Sequence, residues 1–198
     1  MNPNYYVWIS AMQKEIRRGN EKEAFYWAWH LVENGFLGHV RNRLRVIAHE
    51  DIGTADLTVL PFVSRCCEDM QAWYKAKNDA WVLALANVVL ALCRAKKSRD
   101  ADHLHIIVRY NRKKGSTLNV PDYAHDKHTR QGKKLGRGFK HFFEEGAKLN
   151  PDHSNPTYAG EAKKACIEME EGKVENFFGI EYPKRNGNNL DSNLIDNE

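Results

Sequence analysis

The chain has 198 residues, 42% hydrophobic and 11% aromatic, with 30 Lys and Arg against 26 Asp and Glu. This composition supports a packed core and excludes a wholly disordered chain. No apolar run approaches the roughly 18 residues a bilayer-spanning helix needs, and the start, Met1-Asn2-Pro3-Asn4, lacks the basic-then-apolar pattern of an export signal, so a soluble, cytoplasmic protein without membrane contact is expected.

Apolar periodicity predicts helices in chain order. Over residues 4–18, Tyr5, Trp8, Ile9, Met12 and Ile16 recur at three- and four-residue steps and share one helical face. Gly19-Asn20 ends that helix, and a second follows over 21–33, with Ala24, Phe25, Trp27, Ala28 and Leu31 on a broad apolar face and Asn34-Gly35 as its stop. A third is expected over 37–49, with Val40, Leu44 and Ile47 inward, and a fourth over 55–74, with Pro61 in its first turns. The most apolar helix, over 79–95, is the expected centre, because Ala80, Ala84, Ala86 and Ala91 admit close neighbours. A sixth spans 101–113; within it, residues 105–110 have β-branched, strand-like character but no evident pairing partner. Beyond Gly115, glycines and prolines interrupt the pattern, until a last helix over 158–171. The expected fold is all-α, a compact array of antiparallel helices with an irregular Gly/Pro-rich C-terminal third. The expected organisation is a helical domain over 1–148, a helical extension over 149–183 and a mobile polar tail over 184–198.

Charge is unevenly distributed. Residues 1–93 are balanced, residues 94–148 carry 15 basic and six acidic side chains, and residues 149–198 carry five basic and ten acidic ones. The central surplus of nine positive charges suits phosphate contact, or else a solvated surface. The acidic end either keeps the chain soluble or shields the basic zone. Cys66 and Cys67 are adjacent, Cys93 and Cys166 stand apart, and no CxxC occurs, so buried reduced thiols are expected and neither a disulfide scaffold nor a structural zinc site.

Motifs for chemistry are few. There is no GxxxxGK[ST], GxGxxG or GxSxG, and the HExxH reading of His49-Glu50 fails because position 53 is Gly. Asp122-Tyr123-Ala124-His125-Asp126-Lys127-His128 is the strongest candidate for metal chemistry: on a helix Asp122, His125 and Asp126 share a face, and His125 with His128 could ligate one ion. The alternative is a polar turn in which Asp122 caps a helix. The segment from His49 to Asp56 reads as a buried corner in which Glu50 and Asp51 form side-chain hydrogen bonds, Gly53 bends the chain and Asp56 or Thr54 caps the next helix.

These segments carry a family resemblance. Ser10-Ala11-Met12-Gln13-Lys14-Glu15-Ile16-Arg17-Arg18-Gly19-Asn20 is similar to the SA-(L/M)-QKSIRRGD stretch in the C-terminal region of the RarA/MgsA family, clamp-loader-like AAA+ ATPases typified by replication-associated recombination protein A. Ala24-Phe25-Tyr26-Trp27 resembles its AALYWLAR, and the run from Arg43 to Asp56 its RRLVRIASEDIGLAD. Residues 83–98 resemble its LAQAVIYLALAPKS, and residues 134–140, more weakly, its ELGYGKGYKY. The resemblance covers residues 8–145 and implies a helical, homotetramer-forming domain. In the family this domain is attached to an ATPase that acts at stalled replication forks and DNA ends. No nucleotide-binding module is present in these 198 residues, so neither catalytic residues nor a cofactor are expected.

The expected function is a non-enzymatic oligomeric module of DNA replication, recombination or repair. Its DNA contacts are expected at Lys96, Lys97, Arg99, Arg112, Lys113 and Lys114. A second group comprises Arg130, Lys133, Lys134, Arg137 and Lys140. Phe139, Phe142 and Tyr123 are candidates to stack on unpaired bases, with core packing the alternative for Phe142 and Phe143. Aromatic residues near Tyr5, Trp8, Trp73 and Trp81 are the expected support for tetramerisation. Two alternatives stand beside this: a protein-only adaptor for a separate AAA+ ATPase, polymerase or single-strand-binding protein, and a metal-dependent phosphohydrolase or nuclease using His125, Asp126 and His128 with His49 and Asp51.

Overall fold

A computed structural model describes residues 4–179. Its described residues are helical and irregular, without strand, as an all-α fold requires. The chain divides into two compact units, residues 1–117 and 118–198. The boundary expected at 148 therefore falls inside the second unit, and the tail over 184–198 lies outside the described residues.

The first unit contains α1 (Tyr5–Arg18), α2 (Glu21–Glu33), α3 (Leu37–Ile47), α4 (Val59–Lys75), α5 (Trp81–Arg94) and α6 (Asp100–Lys113). Helices α1 and α2 pair through the turn at Gly19-Asn20, α4 and α5 pair through the turn before Trp81, and α5 touches α1, α2, α3 and α4. That central position follows from composition: Leu85, Val88 and Leu92 are wholly buried, with Ala84 small enough to admit a neighbour. Each large aliphatic side chain so buried contributes roughly 1.5–3 kcal/mol. Facing them are Met12 and Ile16 of α1, Leu31 of α2, Leu44 and Ile47 of α3, and Val63 and Met70 of α4.

Aromatic side chains close the edges of this core. Tyr5 packs on Phe36 at 4.8 Å and its hydroxyl bonds His39 Nδ1 at 2.8 Å, joining α1 to α3. Trp29 stacks on Trp81 at 5.3 Å, with Tyr74 edge-on to the same indole. Tyr5, Trp8, Trp73 and Trp81, expected to support tetramerisation, are thus turned toward their own core.

Two boundaries differ from those the periodicity predicts. The third helix passes at Ala48 into a single π turn, Ala48–Ile52, followed by a 3-10 turn, Gly53–Ala55. The fourth begins at Val59, not 55, because the Asp56 carboxylate accepts from the Thr58 N–H at 3.2 Å and from its hydroxyl at 2.6 Å, holding the chain in a turn. Pro61 then falls in the first turn of α4, where its missing N–H removes no intrahelical bond. The strand-like residues 105–110 lie within α6, a helix that contains no buried residue.

The second unit contains a 3-10 turn, Asp122–Ala124, short helices α7 (Arg130–Lys134) and α8 (Phe139–His141), a π turn Phe142–Gly146, and α9 (Pro156–Glu170). Thr129 caps α7 by accepting from the Gly132 N–H at 2.9 Å. Asn155 caps α9 by accepting from Thr157 N–H at 2.9 Å and Tyr158 N–H at 3.4 Å, with Pro156 opening the helix. Among the described residues, Phe139 and Cys166 are its buried apolar side chains.

Candidate nucleic-acid interface

An ion network holds the corner after α3. The π turn swings Glu50 and Asp51 toward α1, where Arg17 Nε donates to both Asp51 carboxylate oxygens at 2.8 and 2.9 Å and Arg17 Nη2 to Glu50 at 2.7 Å. Gln13, one helical turn earlier, donates to Glu50 at 3.0 Å and Asp51 at 3.3 Å. Arg99 approaches from the far side, donating to Glu50 at 3.1 Å and lying 3.6 Å from Asp51; it also pairs with Asp102. The Asp51 carbonyl accepts from Ser98 N–H at 3.0 Å. Burial lowers the pKa of the Arg17 guanidinium, but its bonds to Asp51 and Glu50 outweigh burial and hold it above its ordinary value. Gly53, at φ +50° and ψ −125°, supplies a backbone conformation that a side chain would strain. The Glu50 and Asp51 carboxylates are thus bound by guanidinium and amide groups.

Three of the cations expected to meet phosphate are engaged inside the protein. Arg99 belongs to the corner network. Lys97 donates to the Cys93 and Ala95 carbonyls at 2.6 and 3.3 Å, closing the C-terminal end of α5. Arg137 makes a two-pronged contact with the Asp122 carboxylate at 2.7 and 2.8 Å and donates to the Asp122 and His125 carbonyls, tying together the loop over 122–137. This contact holds the Asp122 carboxyl below its ordinary pKa. Net charge does not reveal which cations have partners; position just after a helix end does mark Lys97.

The others remain exposed. In the first unit Lys96, Arg112 and Lys113 make no side-chain hydrogen bond or ion pair among the described residues, and Lys114 lies 5.7 Å from the Tyr110 ring. In the second unit Arg130, Lys133, Lys134 and Lys140 are exposed and unpaired among the described residues. Lys133 and Lys140 line a concavity of about 670 Å³ together with Lys127, His128, Gly136, Arg137, Gly138 and Glu170. Lys127, missing from the expected set, sits 3.4 Å from the centre of the Phe139 ring. Glu170 is held to the loop by the Phe139 N–H, which donates to it at 2.9 Å; a Cβ on Gly138 would stand 2.2 Å from that carboxylate.

The stacking candidates divide. Phe139 is 8% exposed and packs against Phe178 at 5.8 Å, so burial removes it as a base platform. Phe142 and Phe143 are half-buried and meet edge to face, while Tyr123 is 58% exposed.

The metal reading does not assemble. Residues 122–128 form a 3-10 turn and a loop instead of a helix, so Asp122, His125 and Asp126 share no helical face. Asp122 is taken by Arg137, Asp126 accepts from the His128 N–H at 3.0 Å, and the His128 ring packs on Phe142. Among the described residues no three His, Cys, Asp or Glu side chains converge on a point that a metal ion would occupy. Nor does Asp122 cap a helix; its partner is Arg137. Likewise among the described residues, no helix is long and apolar enough to cross a membrane.

Residues 19–176 match the family described as MgsA AAA+ ATPase C terminal. The chain belongs to that family. It is 32% identical over 134 residues to Replication-associated recombination protein A of Bacillus subtilis (strain 168), a match covering 68% of this chain and 31% of the relative. The protein of the same name from Coxiella burnetii is 30% identical over 136 residues, covering 68% and 30%. ATPase WRNIP1 of Dictyostelium discoideum is 29% identical over 151 residues, covering 71% and 16%. The chain thus spans less than a third of the length of the curated relatives it matches. Of the two stretches that meet in the corner network, Glu50–Asp51 lies inside the matched residues and Gln13–Arg17 just before them.

Proposed function

We propose that this MgsA-type C-terminal domain acts in the cytoplasm as an oligomeric, non-enzymatic module of replication, recombination or repair, and that its unpaired cations contact DNA phosphates. The observation that carries the reading is the set of exposed cations without a hydrogen-bond or ion-pair partner among the described residues: Lys96, Arg112 and Lys113 in the first unit, Arg130, Lys133, Lys134 and Lys140 in the second. Lys97, Arg99 and Arg137 instead build the scaffold that presents them. Repetition of this set around a tetramer adds individually weak contacts through avidity. The relatives' names, Replication-associated recombination protein A and ATPase WRNIP1, support a role beside an AAA+ motor on DNA.

Self-association is assigned to α6. Leu104, Ile106, Ile107, Val108 and Tyr110 are all about half to two-thirds exposed on a helix without a buried residue, which favours coverage by another protein surface. The same exposed apolar side chains favour, as a second reading, an adaptor that docks a separate ATPase, polymerase or single-strand-binding protein.

The test is binding of the chain to single- and double-stranded DNA across a salt series. Affinity should fall linearly in log–log form, with a slope that shrinks when Lys113 and Lys134 are replaced by Ala. Absence of binding at low salt overturns the DNA reading, and light scattering that shows a monomer at micromolar concentration overturns the oligomer.

A further inference from the structure

We infer that the concavity in the second unit is a site for a doubly charged phosphate group, a phosphate monoester such as the terminus of a strand or a nucleotide. This rests on the reading of the second unit's cations as phosphate contacts and gives it one defined place.

Three observations converge. The lining is mainly cationic among the described residues: Lys127, Lys133 and Lys140 with a single lining carboxylate, Glu170, while the charge of the fourth cation, Arg137, is spent on Asp122. Glu144, outside the lining and near Lys140, is hydrogen-bonded to Lys163. The surplus of two positive charges matches a monoester, which carries about −1.5 to −2 at neutral pH, better than a singly charged diester within a strand. Second, Lys133 and Lys140 have no hydrogen-bond or ion-pair partner among the described residues, so binding breaks no existing contact of theirs. Third, the loop between them is braced before any ligand arrives. Arg137 locks it to residues 122 and 125, the Phe139 N–H locks it to Glu170, and Gly138 leaves room for that carboxylate. A braced loop avoids most of the ordering cost of binding. Tyr123 and the cations of the first unit play no part in the site.

The test uses the full chain and two single-stranded oligonucleotides, identical except for a 5′-phosphate or a 5′-hydroxyl, with inorganic phosphate and a nucleoside monophosphate as further probes. Binding is read by anisotropy and by the amide NMR shifts of Gly136 and Gly138. The phosphorylated strand should bind about tenfold more tightly, the gain expected from one or two charge-assisted hydrogen bonds. Lys133→Ala/Lys140→Ala should abolish that preference, whereas Lys96→Ala/Lys113→Ala should weaken both strands alike. If neither strand binds but phosphate or the nucleotide shifts both glycine amides, the site stands with a free ligand as its source and the DNA reading falls. If both strands bind equally and no phosphate probe moves these amides, the site is refuted and the DNA reading survives.

Discussion

Replacing Arg17 by Met removes the main partner of a carboxylate that has almost no access to water. Asp51 is 2% exposed, and Arg17 Nε gives it two bonds at 2.8 and 2.9 Å. After the replacement the Asp51 carboxylate keeps Gln13 at 3.3 Å and Arg99 at 3.6 Å. Stripping one partner from a fully buried pair costs about 3–5 kcal/mol. Two features reduce that here: the Arg17 side chain is 29% exposed, so water reaches part of the gap, and Arg99 leaves a second positive charge in place. The expected loss is about 2–3 kcal/mol. In urea unfolding followed by tryptophan fluorescence, the midpoint should then fall by about 1 M at unchanged slope. Arg17→Met/Asp51→Leu should recover more than half of it, because no charge then remains unpaired. The control is Arg94→Met, which breaks the exposed pair with Glu21 at 2.7 Å and should leave the midpoint in place. If Arg17→Met lowers the midpoint no more than Arg94→Met, the corner network does not stabilise the first unit and the reasoning is wrong.

Burial pushes the Cys67 and Cys93 thiols up to about 11 each from the ordinary 9.0, against the opposing pull of Arg45 on Cys67 and of Lys97 on Cys93. The unfolded chain releases these protons near pH 9 while the folded chain retains them, so stability is lost as pH rises from 9 toward 11. Thermal melts should fall less steeply over that range for Cys67→Ala than for the unaltered chain, and alkylation of both thiols at pH 8 should require unfolding. Gly132→Ala places a Cβ 1.7 Å from the Asp126 carbonyl oxygen and 2.7 Å from that of His125. Since backbone must move, a cost of about 3 kcal/mol and faster hydrogen exchange over residues 122–141 are expected. Gly160→Ala, with nothing within 4 Å, should instead stabilise α9 by about 0.5–1 kcal/mol in the same exchange measurement. Asn155→Ala removes the cap of α9 and should cost about 1 kcal/mol, seen as earlier loss of helical circular dichroism on heating.

The helices of the first unit were legible where burial is one-sided. Tyr5, Ile9, Met12 and Ile16 repeat at helical spacing because one face of α1 meets α2 and α5, and Asn34-Gly35 stops α2 through backbone bonds that the dipeptide favours. Legibility ends where contacts span long sequence distances. Nothing in the local pattern tells that Arg99 bonds Glu50, 49 residues away, or that Arg137 folds back on Asp122. Both therefore count as free cations until the chain is folded. The start of α4 fails for a local reason: helix propensity over 55–58 is outweighed by the hydrogen bonds of the Asp56 side chain. Phe139 shows a third limit, since an aromatic residue between basic ones reads equally as a base platform or as a small unit's core, and only the position of Phe178 and Lys127 decides.

The residues whose pattern resembles the family in the sequence also hold the corner. Gln13 and Arg17 on α1 reach Glu50 and Asp51 in the π turn, so two stretches 37 residues apart are bound by a single set of bonds. Such a set tolerates few replacements, because each partner lost leaves a poorly hydrated charge. Lys133 and Lys140 bear no such constraint: they are exposed and unpaired among the described residues, and the fold does not need them. Likeness to the family therefore reports the helical scaffold, while the proposed phosphate contacts are made by side chains free to vary around it. A chain keeping Gln13, Arg17, Glu50 and Asp51 but carrying Glu at 133 and 140 should fold with the same melting temperature and have lost its preference for a terminal phosphate.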